Sequence, residues 1–242
     1  MTTIAAARHT NSPRARVLVV LSGGMDSAVC AALAVRDFTA EDTAALHIDY
    51  GQRTERREHQ AFQDICDRLG VRTTLVVNTA FFRTIGGSAL TDSQIAVPEA
   101  GLEIGAQIPV TYVPFRNSHF LSAAVSWAEV LGADKIYIGA VQQDSSGYPD
   151  CRPEFYMAFN EAVRTGTKDG RIRIETPLIA LRKAEIVRLG LELGAPFDLT
   201  WSCYRREDRA CGTCESCVLR MRAFAAAGAC DPIPYLMQAQ AH

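Results

Sequence analysis

Residues 15–35 read ARVLVVLSGGMDSAVCAALAV, which places a short apolar run, a glycine turn and an alanine-rich segment side by side. The β-branched run at 17–21 predicts a strand buried on both faces of a sheet, and 27–36 predicts a helix. Glycines at the turn allow positive φ and close approach of a ligand, while free N–H groups at the helix start attract anions. The stretch therefore predicts an anion site, with Ser22 and Ser27 as hydroxyl donors for phosphate oxygens.

The glycine loop, residues 22–27, also fits a plain strand-to-helix turn capped by Asp26 or Ser27. Two glycines, two serines and an aspartate directly after a buried strand favour the phosphate site. The Walker pattern is absent because no Gly-Lys-Ser/Thr follows at its spacing. The loop resembles the SGGxDS pyrophosphate loop of the PP-loop ATP pyrophosphatase family, whose members typically split ATP into AMP and pyrophosphate. We accordingly predict ATP contacts from Leu21, Ser22, Gly23, Gly24, Met25, Asp26, Ser27, Ala28, Tyr50, Gln52 and Arg53.

Composition places the chain among ordinary globular proteins. Its 242 residues are 48% apolar and 21% charged, which suits one large domain with a small addition. The net charge of −2 gives no electrostatic case for a nucleic-acid partner. No apolar run reaches the roughly 18 residues of a membrane-spanning helix, so we expect no membrane association and a cytoplasmic location. Residues 1–14 are expected to form a disordered tail rather than a secretory signal.

Strand and helix patterns alternate along the rest of the chain. Further strands are predicted at 43–50, 72–77, 110–113, 135–139 and 171–176, and helices at 58–69, 118–131, 153–164 and 182–193. This alternation predicts an α/β fold with an open, mostly parallel, doubly wound sheet. The ATP-binding domain would fill 15–200 and leave 201–242 as a C-terminal module. The irregular stretch 81–109 is equally consistent with a functional lid and a surface insertion, and we expect no chemical role for His47.

Two loops that follow predicted strands carry polar and charged side chains. Ligands of an open α/β sheet lie beyond the carboxyl ends of its strands, so both loops are expected to face the glycine loop. Arginine clamps a carboxylate with two hydrogen bonds, aspartate accepts from a guanine-like N–H edge, and tyrosine stacks on a planar ring. The alternative is an ordinary turn at 144–152 with Asp144 as a cap. We predict substrate contacts from Arg116, Asn117, Asp144, Tyr148, Asp150 and Arg152.

Two more side chains, Lys183 and Cys151, are candidates for a chemical role. Lys183, at the start of a predicted helix, is equally consistent with a point charge for a phosphate and with a solvated helix residue. Cys151 has no activating base visible in the sequence, so we expect an unreactive thiol.

Four cysteines lie within 15 positions near the C-terminus, in the pattern Cys203-x7-Cys211-x2-Cys214-x2-Cys217. The crowding of thiols indicates a metal site in a reducing compartment rather than disulfides. Four soft ligands suit tetrahedral Zn²⁺, and because they close the coordination sphere the metal would be structural. It would fold a module that has little core of its own. An iron–sulfur cluster is the alternative.

Several motifs together resemble the 7-cyano-7-deazaguanine synthase family: SGGMDS at 22–27, YGQR at 50–53, VPFRN at 113–117, DSSGYPDCR at 144–152 and the four cysteines. The resemblance covers about 16–225, with Met25 standing where glutamine is common and Phe115 where glycine is common. It implies an ATP-dependent ligase that converts 7-carboxy-7-deazaguanine and ammonia to 7-cyano-7-deazaguanine through adenylation and an amide, in queuosine biosynthesis. It further implies Mg²⁺-bound ATP, a homodimer, and catalytic roles for Ser22, Asp26, Ser27 and Lys183.

Two other functions remain open from the residues. One is a different PP-loop adenylating enzyme, such as a tRNA thiolase or a ligase acting on another carboxylate. A tRNA enzyme should show a basic face, and the net charge of −2 counts against it. The other is a non-catalytic nucleotide sensor stabilised by zinc, which would bind ATP without releasing pyrophosphate.

Overall fold

A computed structural model describes residues 14–101, 108–142 and 147–236 of the chain. Within these ranges a 3₁₀ turn at Pro149–Cys151 precedes the fifth helix. The other elements follow in the order β1 Val17–Val20, α1 Met25–Phe38, β2 Thr43–Asp49, α2 Glu55–Leu69, β3 Thr73–Asn78, α3 Phe81–Ile85, α4 Arg116–Leu131, β4 Lys135–Ile138, α5 Pro153–Gly166, β5 Arg173–Glu175, α6 Lys183–Glu192 and α7 Glu215–Ala227.

The strands of the described residues form one parallel sheet in the order β3-β2-β1-β4-β5. β1 is central, and its first residue Val17 is opposite Thr43 on one side and Lys135 on the other. The chain leaves β1 towards β2 and later returns to its other side through β4. Such a reversal opens a crevice beyond the carboxyl ends of the strands, where ligands of open α/β sheets bind. This architecture confirms the predicted α/β fold.

Helices cover both faces of the sheet because successive side chains of β1 point in opposite directions. Val17 and Val19 belong to a buried cluster with residues of α1, α6 and α7. Leu18 and Val20 belong to a second cluster with residues of α4 and α5. Full burial of each such side chain is worth about 1.5–3 kcal/mol, so the sheet is stabilised from both sides. The doubly wound arrangement is confirmed.

Most predicted elements are present with shifted ends, but the strand predicted at 110–113 is wrong. The structure has a turn there, with Tyr112 N–H donating to the carbonyl of Pro109 at 2.9 Å. Prolines at 109 and 114 bracket the segment, and proline removes a backbone donor that a sheet strand needs. The irregular stretch 81–109 begins with α3, and its residues 102–107 lie outside the described ranges.

The C-terminal segment contains α7, which the periodicity analysis missed. Ala223 and Phe224 of this helix lie in the same buried cluster as α1 and α6, so the segment packs on the α/β core. The division at residue 200 stays a prediction, and the predicted tail at 1–14 lies, apart from Arg14, outside the described residues. Within the described ranges, no helix combines the length and apolar character needed to cross a membrane.

Candidate active site

The glycine loop leaves the central strand and enters α1 through a backbone that only glycine accommodates easily. Gly23 has φ of 87°, and a Cβ there would lie 2.7 Å from the carbonyl oxygen of Glu58. Its own carbonyl accepts a hydrogen bond from the backbone N–H of Trp201 at 2.8 Å. The loop is therefore held between α2 and the C-terminal segment.

Hydroxyl groups of the loop bond to each other and to the loop backbone. The Oγ atoms of Ser22 and Ser27 are 3.1 Å apart, and the Ser27 hydroxyl donates to the Gly24 carbonyl at 3.0 Å. Gly24 is the N-cap of α1 and, within the described ranges, no side chain caps the helix, so the alternative of a cap by Asp26 or Ser27 is wrong. The helix start keeps N–H groups that can bind an anion.

Lys183 and Asp26 form an ion pair beside the loop. The Lys183 Nζ lies 2.5 Å from Asp26 Oδ2, and the two side chains are largely buried. Among the described residues, the second carboxylate oxygen, Oδ1 of Asp26, is buried and has no hydrogen-bond partner. A buried acceptor with no donor is costly, so this oxygen is available to a cation or donor brought by a ligand. The solvated alternative for Lys183 does not hold, since α6 places it at the loop.

The loop opens into a cleft of about 270 Å³ at the carboxyl ends of β1, β2 and β4. Among the described residues, the predicted site residues that line it are Leu21, Ser22, Gly24, Met25, Asp26, Ser27, Tyr50, Arg116, Asn117, Tyr148 and Lys183. The predicted residues that do not line it are Gly23, Ala28, Gln52, Arg53, Asp150 and Arg152, and Asp144 lies outside the described residues.

Arg116 forms the wall opposite the glycine loop. Its Nη1 donates to the hydroxyl of Tyr50 at 3.1 Å, and its guanidinium carbon is 5.0 Å from the Tyr50 ring centroid and 5.4 Å from that of Phe120. Cation–π contacts of this kind hold the guanidinium in place. The Nε atom is buried and has no partner within the part of the chain that the structure describes, so the group keeps a donor for a ligand. Phe115, just before it, has φ of 59°, a left-handed conformation that glycine adopts most easily.

Asn117 and Asp150 bond to each other rather than face the cleft together. The Asn117 N–H donates to Asp150 Oδ2 and its Nδ2 donates to the Asp150 carbonyl, both at 2.9 Å. Burial raises the pKa of Asp150. This pair anchors the 3₁₀ turn to the start of α4. The neighbouring Cys151 has its pKa raised to about 11, chiefly by burial, which agrees with the expected unreactive thiol.

Arg53 and Gln52, predicted to contact ATP, and Arg152, predicted to contact the substrate, lie outside the cleft. Arg53 donates from Nε to the carbonyl of Ala89 at 2.7 Å and from Nη2 to that of Ile95 at 2.6 Å, so it braces the stretch after α3. Gln52 is buried and accepts from the Tyr50 N–H at 2.8 Å. Arg152 is exposed as the N-cap residue of α5.

Glu58 lines the cleft, but it was not predicted as a site residue from the sequence. Its carboxylate accepts from Thr54 Oγ1 at 2.7 Å and from Gln52 Nε2 at 3.3 Å. Burial raises its pKa. The helical period could have predicted its burial, because Glu58 precedes Ala61 and Phe62 of the buried face of α2 by three and four residues. An acidic residue on a buried helix face is a candidate for ligand binding.

The four cysteines predicted as ligands converge on one point. All four Sγ atoms lie within 4.8 Å of one another, and those of Cys211 and Cys217 are 3.9 Å apart. Sulfur atoms in a tetrahedron with ~2.3 Å metal bonds lie about 3.8 Å apart. Backbone N–H groups of Cys211 and Cys214 donate to Sγ of Cys203 and Cys211, each at 3.3 Å. The cysteine cluster, Cys203 to Cys217, could therefore hold a metal ion.

A protein-family model described as queuosine biosynthesis protein QueC matches residues 16–228 of this chain. The match spans the sheet, the glycine loop, the cleft and the cysteine cluster. The chain belongs to the QueC family.

Curated relatives carry a name consistent with the QueC family. Proteins named 7-cyano-7-deazaguanine synthase from Koribacter versatilis and Acidobacterium capsulatum are 70% and 65% identical to this chain, covering 94% and 92% of it. The alignments cover 96% and 97% of those proteins. A protein of the same name from Chlorobaculum tepidum is 55% identical over 91% of this chain and 96% of its own length. The resemblance stated from the motifs is confirmed.

Proposed function

We propose that this QueC-family chain converts 7-carboxy-7-deazaguanine and ammonia to 7-cyano-7-deazaguanine at the expense of ATP. The observation that carries the proposal is one cleft with the glycine loop and Lys183 on one side and Arg116 on the other. An anion site and a carboxylate clamp that face each other bring a phosphate chain and a carboxylate together, as adenylation requires. The names and identities of the relatives supply the substrate class.

Adenylation at this site would use the carboxylate as nucleophile. A carboxylate oxygen attacks the α-phosphorus, the bond to the bridging oxygen breaks, and pyrophosphate leaves with the electron pair. Negative charge developing on pyrophosphate is stabilised by the N–H groups at the start of α1, the hydroxyls of Ser22 and Ser27, and the ammonium group of Lys183. Ammonia then displaces AMP at the acyl carbon and loses a proton, which yields an amide.

A second adenylation would convert the amide to the nitrile. The amide oxygen attacks a second ATP, and departure of AMP with loss of two protons from nitrogen leaves a carbon–nitrogen triple bond. Oxygen leaves twice as the oxygen of AMP because hydroxide and oxide are poor leaving groups. Each nitrile therefore consumes two ATP and releases two AMP and two pyrophosphate.

Substrate contacts come from the wall opposite the glycine loop. Arg116 is held by Tyr50, and its buried Nε has no partner among the residues with described positions, so it would bind the carboxylate. Tyr148 and Glu58 line the same cleft, and a buried carboxylate suits the N–H edge of a guanine-like ring. Asn117 and Asp150 act by positioning this wall. Asp144 and Arg152 stay predictions as substrate contacts.

Metal ions would serve two purposes. Zn²⁺ fits the four converging thiols and would be structural, because four protein ligands leave no open position. Asp26, whose Oδ1 is buried and unpartnered, fits as one oxygen ligand for Mg²⁺, which supplies charge neutralisation on the triphosphate. We also propose a cytoplasmic homodimer without a nucleic-acid partner, supported by the family resemblance, the reduced cysteine cluster and the net charge of −2. Size-exclusion chromatography with light scattering tests the dimer.

The reaction is tested directly by mass spectrometry of purified protein with MgATP, ammonium and 7-carboxy-7-deazaguanine. We expect the nitrile together with two AMP and two pyrophosphate per product. The double variant Ser22→Ala/Ser27→Ala should lose turnover by a factor of at least about 100 and keep its zinc. Its control is Ser122→Ala/Ser126→Ala, which removes two hydroxyls that bond carbonyls of α4 outside the cleft. Turnover retained in the first double variant contradicts the loop assignment.

The substrate wall is tested with Arg116→Met against Arg152→Met. Arg116 lines the cleft and Arg152 does not. Loss of a charge-assisted pair to the carboxylate raises KM for 7-carboxy-7-deazaguanine by about 100-fold, with little change in ATP affinity, whereas Arg152→Met leaves both constants unchanged. ATP turnover without a nitrile in the unaltered protein would support an adenylating enzyme for another carboxylate, and ATP binding without pyrophosphate release would support a sensor.

A further inference from the structure

His47, Asp49 and His59 form a compact group on the β2–α2 side of the sheet, called here the histidine cluster. Each contributes one nitrogen or oxygen atom to a set lying within 4.8 Å of one another. The Nε2 of His47 is 3.1 Å from Asp49 Oδ1, and Nδ1 of His59 is 3.4 Å from Asp49 Oδ2. The His47 side chain is 1% exposed and that of His59 is 32% exposed. The group reaches from the core to the surface.

One ring nitrogen of His47, Nδ1, fixes the protonation state of the other, Nε2. Its Nδ1 lies 2.9 Å from the carbonyl oxygen of Leu21, which can only accept, so Nδ1 carries the proton. In the neutral ring the lone pair of Nε2 then points at a carboxylate oxygen of Asp49. Two lone pairs 3.1 Å apart require a cation between them, either a second ring proton or a metal ion. We expected no chemical role for His47 from the sequence, and a metal ion bound at Nε2 would give it one.

In His59 the two ring nitrogens exchange roles, because Nδ1 faces Asp49 and Nε2 faces a side-chain amide. Its Nε2 is 3.1 Å from the side-chain amide of Gln63, one turn further along α2. An amide presents its oxygen or its nitrogen after a rotation of 180°, so Gln63 can accept the Nε2 proton and leave Nδ1 free. Metal-binding histidines in proteins regularly donate their other ring N–H to a carbonyl or a similar acceptor. The His47 ring meets this condition through the Leu21 carbonyl, and the His59 ring meets it once the Gln63 amide is rotated.

A surface cleft of about 510 Å³ gives access to the group, and Asp49 and His59 line it. The charged residues around this cleft are largely paired with each other. Arg56 contacts Glu207 at 2.9 Å and Arg83 contacts Glu55 at 2.9 Å, while Arg53 bonds backbone carbonyls. The Asp49 carboxylate therefore faces the two histidines.

We propose that the histidine cluster binds a divalent transition-metal ion of the Zn²⁺, Co²⁺ or Ni²⁺ type. Two imidazole nitrogens and one carboxylate oxygen provide three ligands, and water from the cleft completes a tetrahedral shell. Imidazole ligands select these ions over Mg²⁺, which prefers oxygen. The site is distinct from the cysteine cluster and independent of the proposed reaction. Because His47 holds the Leu21 carbonyl, the metal would brace the residue that immediately precedes the glycine loop.

The site is tested by equilibrium dialysis of the zinc-loaded protein against Co²⁺, with metals counted by plasma mass spectrometry. We expect one Co²⁺ per chain in addition to the zinc, since cobalt does not displace zinc from thiolates. His59→Ala and Asp49→Asn should each weaken Co²⁺ binding by more than the roughly 10–100-fold that loss of an outer-shell partner costs. His119→Ala, which removes an exposed histidine on α4, is the matched control and should bind Co²⁺ unchanged.

Proton NMR of the cobalt form gives an independent readout. Two exchangeable, strongly shifted signals are expected, from Nδ1–H of His47 and Nε2–H of His59. A tenfold excess of Mg²⁺ should leave cobalt binding unaffected. The proposal is overturned if no second metal binds, if cobalt binding survives in both His59→Ala and Asp49→Asn, or if Mg²⁺ competes. His59 lies partly exposed on α2, so its alanine variant is expected to fold, and thermal melting checks this.

Discussion

The glycine loop and the cysteine cluster are both short motifs, but different interactions hold them in shape. The loop is fixed by backbone geometry, through the positive φ of Gly23 and the hydrogen bond from Trp201 to its carbonyl. The cluster is fixed by side chains, four thiols that approach within 4.8 Å of one another. Thiolates so close repel each other unless a cation lies between them. The loop is therefore organised by the fold, whereas the cluster depends on its ligand.

This difference predicts which perturbations each motif tolerates. A backbone-held loop resists removal of a ligand but not addition of a side chain. A ligand-held cluster tolerates changes outside its coordination sphere but not loss of the metal. Trp201 lies two residues before Cys203 and contacts the glycine loop, so disorder in the cluster would reach the loop.

The largest expected effect is removal of the metal. Structural zinc contributes on the order of 10 kcal/mol in isolated zinc-finger peptides, which exceeds the whole stability of many domains. Chelation or Cys214→Ser should expose residues around 203–217 to protease and lower Tm, with cleavage sites mapped by mass spectrometry. Cys230→Ser, at an exposed cysteine outside the cluster, is the control and should stay resistant. Equal resistance of both variants would show that the segment does not need a metal.

A second prediction concerns the other anchor of the C-terminal segment, the ion pair of Arg220 and Asp231. The Arg220 Nε lies 2.8 Å from Asp231 Oδ2, with side chains 2% and 8% exposed. Asp231→Ala leaves a buried guanidinium without a counter-ion and should cost about 3–5 kcal/mol of unfolding free energy, measured by urea denaturation. Asp208→Ala breaks an exposed pair with Arg206 and should cost roughly 0–1 kcal/mol. Similar losses in the two variants would contradict the role given to the buried pair.

The smallest expected effect separates the backbone strain of a residue at positive φ from the steric contact of a Cβ with α2 at the glycine loop. Gly23→Ala places a Cβ 2.7 Å from the Glu58 carbonyl at φ of 87°, whereas at Gly228, with φ of 74°, a Cβ would have no atom of the described residues within 4 Å. Both substitutions incur the cost of a left-handed residue, about 1–3 kcal/mol. Only Gly23→Ala should also shift the loop and reduce the rate of pyrophosphate release. If the two variants release pyrophosphate equally fast, contact with α2 does not shape the loop.

The parts of the fold that were predicted correctly depend on local sequence. The run at 17–21 is continuously apolar, and the helix predicted at 182–193 follows the helical period and forms as α6, Lys183–Glu192, so neighbouring residues carry the information. The segment 110–113 misled because valine, threonine and tyrosine favour strands. Within the described residues this segment pairs with no strand of the β3-β2-β1-β4-β5 sheet, which is a property of the sheet rather than of the four residues.

The candidate site was predicted less completely because its polar side chains choose partners far along the chain. Lys183 pairs with Asp26 across 157 positions, and Asp150 accepts from Asn117 across 33. Residue types and loop positions indicated that these groups would gather at one end of the sheet. They did not indicate which of them would bond each other and which, like Arg116, would keep a free donor.

The position of β1 in the sheet has a consequence for the protein while it is being synthesised. β1 and β2 are made first and can pair at once, but the other edge of β1 is covered only by β4, Lys135–Ile138. At ~5–20 residues per second, the ribosome needs on the order of ten seconds to reach that strand. For this interval the nascent chain presents an apolar, unpaired edge, which is the kind of surface that other chains can join. Chaperone dependence should accordingly be greatest before β4 emerges and fall once it has paired.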